Sequence, residues 1–132
     1  MSTDVQPVAN PKWMVWVGWI ISVLPAAMLV FSGSMKFMSS PELSQGFRDL
    51  GWDEKLAFVL GIVEISCTAI YLIPPTAVLG AILVTGYMGG AIATHVRVGE
   101  PFYIQAALGV AFWAGLWLRD SRLRGLLPFR SV

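Results

Sequence analysis

The sequence has one cysteine, one histidine and few charged side chains, and each shortage removes a class of chemistry. Cys67 alone closes no intramolecular disulfide and founds no cysteine-based zinc site. His95 has no second histidine and no nearby cysteine to share a metal, and a haem would lack an obvious second axial ligand, so no metal site is expected. Charged residues make up 13% of the 132 positions and the net charge is only +1. No concentrated basic patch is available to neutralise phosphates, which excludes nucleic acid as a partner. The chain also shows no nucleophile triad, phosphate-cradling loop, paired carboxylates, internal repeat, low-complexity tract or soluble domain.

What is present is apolar surface, because 56% of the residues are hydrophobic and six are tryptophan, the residue favoured at lipid–water interfaces. Trp13 to Phe31, Ala77 to Thr94 and Phe102 to Leu118 carry no charge, and Leu56 to Ile73 carries only Glu64. Each run is near the roughly 20 residues that cross a bilayer. Backbone groups in hydrocarbon must pair internally, and unbroken apolarity rules out the alternating pattern of a barrel, so the runs are expected to be helices. The fold expected is all-α: a single transmembrane domain over 1–132, an up-down four-helix bundle with helices over 13–38, 54–73, 76–97 and 102–119 and flexible tails over 1–11 and 120–132.

Between the first two helices, Ser40-Pro41-Glu42 reads as a helix start with a capping hydroxyl, proline at the first position and an acid in the first turn. Leu43, Phe47 and Leu50 fall opposite Glu42, Gln45 and Asp49, which predicts a short amphipathic helix along the membrane surface, ended by Gly51. Pro74 and Pro75 make the next link very short, so the flanking helices are antiparallel neighbours. The first apolar run is too long for a cleaved signal peptide, and Asp4 precedes it. An even number of spans puts both termini on one side. Lys12, Arg119, Arg122, Arg124 and Arg130 lie there, against Lys36, Arg48, Lys55 and Arg97 on the other, and the cluster after the last span favours cytoplasmic termini.

Four polar residues stand out as candidates for a ligand site. Glu64 falls near half-depth, where an ionised acid is costly. It either locks the helices together or handles protons or a ligand, and Gly61, Thr68 and Tyr71 share its face. Lys36 ends a stripe containing Ser22, Pro25, Ala26, Leu29, Ser32 and Gly33. Lys36, His95 and Arg97 emerge at the same membrane end. There the two bases either snorkel to headgroups or form an anionic-ligand site, with Lys36 reaching inward to Glu64 as a further arrangement. His95 is either hydrogen-bonded at the interface or able to relay protons or donate to a quinone carbonyl. Gly86, Gly90 and Ala93 form a small-residue stripe expected to pack against a neighbouring helix or a symmetry mate.

Gly33-Ser34-Met35-Lys36-Phe37, Glu64, and above all the run from Thr85 through Gly89-Gly90-Ala91-Ile92-Ala93-Thr94-His95-Val96-Arg97 to Pro101 resemble the DoxX-like family of small bacterial membrane proteins. The resemblance covers about Trp13 to Leu118 and implies a four-helix integral membrane fold. Relatives of that family are associated with thiosulfate and quinone redox chemistry or with membrane oxidoreductase complexes, which makes a quinone the cofactor to consider. The family motif carries over Lys36, Glu64, His95 and Arg97 as polar positions without assigned roles. The leading expectation is a multi-pass protein of the bacterial inner membrane whose polar site binds a quinone, lipid or small anion in a redox-associated role. The alternatives are a small proton-coupled transporter, and a non-catalytic subunit or assembly factor that forms a homo-oligomer or docks on a membrane oxidoreductase.

Overall fold

The computed structural model describes residues 10–130, and among them every regular element is helical. The order is α1 (Lys12–Met35), α2 (Pro41–Asp49), α3 (Leu56–Leu72), a 3₁₀ turn at Pro74–Thr76, α4 (Ala77–Arg97), α5 (Tyr103–Arg119) and α6 (Ser121–Arg124). The segment read as a flexible tail from 120 onward is folded in part. Asp120 caps α6 by accepting from the Arg122 N–H at 3.0 Å, and Leu123 is buried against the core. Residues 1–9 and 131–132 of the expected tails lie outside the described residues.

The helix ends follow local chemistry. Ile73 is extended, as the residue before Pro74 must be, and this stops α3. Ser40 Oγ accepts from the Leu43 N–H at 3.1 Å and starts α2. Gly51 and Gly99 have φ of +75°, the left-handed conformation that ends α2 and α4. Beyond each, a six-to-one bond closes the turn: Trp52 N–H to the Phe47 carbonyl at 2.8 Å, and Glu100 N–H to the His95 carbonyl at 2.9 Å.

Two segments, Lys12–Met35 and Pro74–Arg97, each 24 residues, are long and apolar enough to cross a membrane. Helices α3 and α5 have 17 residues each, about 26 Å at the usual rise, a turn short of a 30 Å hydrocarbon layer. Both lie within two residues of the runs expected over 54–73 and 102–119, with Pro74 following α3, and Phe102 and Asp120 flanking α5.

The four long helices pack as a closed ring in which α1 touches α3 and α5, and α4 touches the same two. Asn10 donates to the Arg119 carbonyl at 3.2 Å and accepts from Arg124 at 3.1 Å, so the start of α1 and the end of α5 meet. The expected inner stripe of α1 is buried: Ser22, Pro25, Ala26, Leu29 and Gly33 face inward together with Gly18. Tyr71, Phe112, Leu116, Val84 and Ala81 fill the centre, with Cys67 beside them. The outward faces stay bare and apolar, for Ile20, Leu24, Phe58, Ile62, Ile82 and Val110 are all exposed. Exposed apolar surface spread over all four helices suits a lipid solvent and not water.

Close helix approach runs through glycines other than those expected. A Cβ at Gly80 would lie 2.2 Å from the Tyr71 backbone, joining α4 to α3. One at Gly115 would meet the Gly18 carbonyl at 2.9 Å, and one at Gly61 the Gly33 carbonyl at 2.9 Å, joining α1 to α5 and to α3. At Gly86, Gly89 and Gly90 a Cβ would meet nothing within 4 Å, and Ala93 is exposed. The Gly86, Gly90 and Ala93 stripe therefore seats no helix of this chain. An i,i+4 pair of small residues marks a smooth face, but which smooth face meets a partner depends on helix rotation.

Candidate functional site

Glu64 is 2% exposed and accepts from Lys36 Nζ at 2.7 Å, so the lysine reaches the deep acid directly. Lys36 Nζ also donates to Ser32 Oγ, one turn back on α1, at 2.9 Å. A second donor to Glu64 comes from α4: the Tyr87 hydroxyl lies 3.2 Å from the same oxygen, Oε2. Three helices thus converge on one carboxylate. A buried carboxylate is tolerated when a paired cation and further donors replace its lost water, and Glu64 has both. Gly61, Thr68 and Tyr71 are buried on its face as the spacing predicts.

Above this pair is a cavity of about 490 Å³. Lys36, Glu64, Ser32 and Tyr87 line one part of it, and His95, Thr94 and Gln105 another. Apolar walls come from Met28, Leu29, Leu60, Met88, Ile104 and Leu108, and the volume sits within the usual range for small-molecule sites, roughly 300–1,000 Å³. Gly86 and Gly90 also line it, which gives the open glycines a second meaning: they supply space. Phe47, Leu50 and Trp52, from α2 and its closing turn, complete the lining.

His95 hydrogen-bonds through Nδ1 to the Ala91 carbonyl at 2.7 Å. A carbonyl only accepts, so Nδ1 carries the proton, and in the neutral ring Nε2 is an acceptor. It faces the Gln105 amide nitrogen at 3.4 Å. That orientation leaves Gln105 Oε1 buried without a partner, the one such side-chain atom among the described residues. Gln105 also borders a shallower, almost wholly apolar groove between α4 and α5, where Trp113 already donates to Thr85 Oγ1 at 2.6 Å.

Arg97 stands apart. It is exposed and absent from the cavity wall, although it was expected to join Lys36 and His95. Its guanidinium donates to the Leu50 carbonyl at 2.5 Å and lies 5.7 Å from the centre of the Trp52 ring. Two residues on a helix are about 200° apart, so His95 facing inward turns Arg97 outward. Arg97 instead ties the turn after α2 to the end of α4, behind two residues that line the cavity.

Sequence reasoning gave Tyr87 and Gln105 no role. Tyr87 had a readable signal, since Tyr87, Ala91 and His95 recur at intervals of four and share a face. Gln105 is the only amide in the uncharged stretch from Phe102 to Leu118. At the other end of the helices a second polar cluster is structural. The Tyr71 hydroxyl lies 2.6 Å from the Phe112 carbonyl and 2.9 Å from Ser22 Oγ, and Arg119 donates to that Oγ at 3.1 Å. The Arg119 guanidinium rests 4.1 Å from the Trp19 ring centre.

A helical protein with bare apolar faces and a buried ion pair under an amphipathic cavity belongs among membrane proteins. Residues 20–118 match the DoxX-like family, and the chain belongs to that family. No curated protein and no solved structure matches it.

Proposed function

We propose that this DoxX-like membrane protein binds a small lipophilic molecule with an oxygenated polar head in the cavity above Lys36 and Glu64, and that a quinone-type ring is the head that suits it. The observation that carries this reading is the ion pair at the cavity wall. Lys36 is already neutralised by Glu64 at 2.7 Å, so a free anion would gain little net charge attraction there. An uncharged oxygen can still accept from the ammonium, which has three N–H groups and spends two on Ser32 and Glu64. The apolar walls suit a ring and its tail. The same reading makes α1, α3, α4 and α5 an up-down transmembrane bundle in the bacterial inner membrane, and the arginines after α5 support cytoplasmic termini. A redox-associated role follows if the ring shuttles to a membrane oxidoreductase.

Native mass spectrometry of the protein released from micelles after incubation with decylbenzoquinone tests the reading. A single adduct is expected, lost in Gly90→Leu, whose side chain would fill the cavity. No adduct, or one that survives Gly90→Leu in a folded variant, would sink it.

A further inference from the structure

Resting on the cavity reading above, we propose that Glu64 is the specificity-determining residue of the site: its second carboxylate oxygen receives a hydroxyl from the ligand, so the cavity favours a hydroxyl-bearing ring over its carbonyl-bearing form. The two oxygens of Glu64 have different surroundings. Oε2 takes both donors, Lys36 Nζ at 2.7 Å and the Tyr87 hydroxyl at 3.2 Å. Among the described residues nothing donates to Oε1. The Glu64 side chain lines the cavity and is otherwise buried, with 2% of its surface exposed. Packing seals the amide oxygen of Gln105 but leaves Glu64 Oε1 open, so the cavity is the side from which a donor can reach it.

Fixed polarity makes this oxygen discriminating. Ser32, Tyr87 and Thr94 in the wall carry hydroxyls, which both donate and accept and so accommodate a head of either kind. Lys36 only donates, and Glu64, ionised beside it, only accepts. Among the described residues no other acid lines the cavity. A phenolic hydroxyl set against the pair accepts the unspent Lys36 N–H and donates to Oε1, one oxygen serving both charges. A quinone oxygen accepts from Lys36 equally well but turns its lone pairs toward Oε1. Hydrogen bonds to an ionised group are the strong ones, and a head that displaces water from a carboxylate without supplying a donor loses affinity. Sites built to pair a ligand hydroxyl discriminate strongly against analogues lacking it.

Glu64→Gln gives the test its sign. Lys36 and Tyr87 both donate to Oε2, so the amide of the variant keeps its oxygen there and sets its NH₂ in the place of Oε1. The atom open to the cavity changes from acceptor to donor. Binding of decylhydroquinone, decylbenzoquinone and the dimethyl ether of decylhydroquinone is compared anaerobically on the full-length protein in lipid nanodiscs. The unaltered protein should bind decylhydroquinone at least about tenfold more tightly than either of the others. In Glu64→Gln that ratio should fall to about one or below, with decylbenzoquinone affinity rising by about tenfold, a gain that a merely damaged site would not give. If Glu64→Gln does not fold, Lys36→Met with Glu64→Leu removes both fixed-polarity groups, and its ratio should be about one. A hydroquinone preference that survives either variant, or a Glu64→Gln protein that binds all three more weakly in unchanged proportion, would overturn the proposal. Equal binding of all three by the unaltered protein, or tighter binding of the quinone, sinks the selectivity alone and leaves the cavity reading standing. Binding of none by folded protein removes the cavity reading and the proposal with it.

Discussion

The ammonium of Lys36 lies 2.7 Å from the carboxylate of Glu64, although 28 positions separate the two residues in the chain. Their burial is unequal: the Lys36 side chain keeps 16% of its surface exposed and Glu64 keeps 2%. Removing either partner therefore has a different consequence.

Lys36→Met strands the deeper charge and should destabilise the protein by about 3–5 kcal/mol. Glu64→Gln keeps the shape and leaves a lysine that can extend toward the interface, so it should cost about 1 kcal/mol. The double variant Lys36→Met with Glu64→Leu should return to within about 1 kcal/mol of the parent. Thermal unfolding in micelles measures all three, and a Glu64→Gln loss as large as that of Lys36→Met would contradict this account.

The glycines of α4 should respond in opposite directions. Gly80→Ala forces a Cβ into the Tyr71 backbone and should cost at least about 1–3 kcal/mol. Gly86→Ala meets open space and should gain up to about 1 kcal/mol from helix propensity. Melting temperatures of the two variants, read side by side, decide the matter. A harmful Gly86→Ala would instead point to a neighbouring chain seated on that face.

Arg97 should act on mobility. Arg97→Ala removes the bond to the Leu50 carbonyl and the cation above Trp52, freeing the turn that ends α2. Amide hydrogen exchange over 47–52 is expected to quicken by about tenfold, the equivalent of about 1.4 kcal/mol in local opening, with α3 and α4 unchanged. Uniform exchange across the protein would show that Arg97 supports the whole fold.

Tyr71→Phe removes a buried hydroxyl shared by Ser22 and the Phe112 carbonyl and keeps the ring, whose centre is 4.8 Å from that of Phe112. A loss of about 1 kcal/mol is expected with ligand binding untouched, because this cluster lies apart from the cavity lining. Binding that weakens together with stability would show that the two polar clusters are coupled.

Several parts of the fold and the site are written in the sequence by itself because they depend on neighbours a few positions away. The four apolar runs, the Ser40-Pro41 start of α2, the buried stripe from Ser22 to Gly33 and the isolation of Glu64 in an apolar helix all follow from composition and helical period. Other features depend on how one helix is rotated and shifted against another. The Gly86 and Gly90 spacing looks like that of a packing face, yet contact falls on Gly80, Gly18 with Gly115, and Gly33 with Gly61. His95 and Arg97 sit two positions apart, and only rotation of α4 decides that one lines the cavity while the other ties down α2. Whether Lys36 reaches Glu64, and whether Gln105 meets His95, depends likewise on register between helices. A helix's own period fixes which residues share a face, whereas interhelical packing fixes what that face meets, and no local pattern encodes the latter.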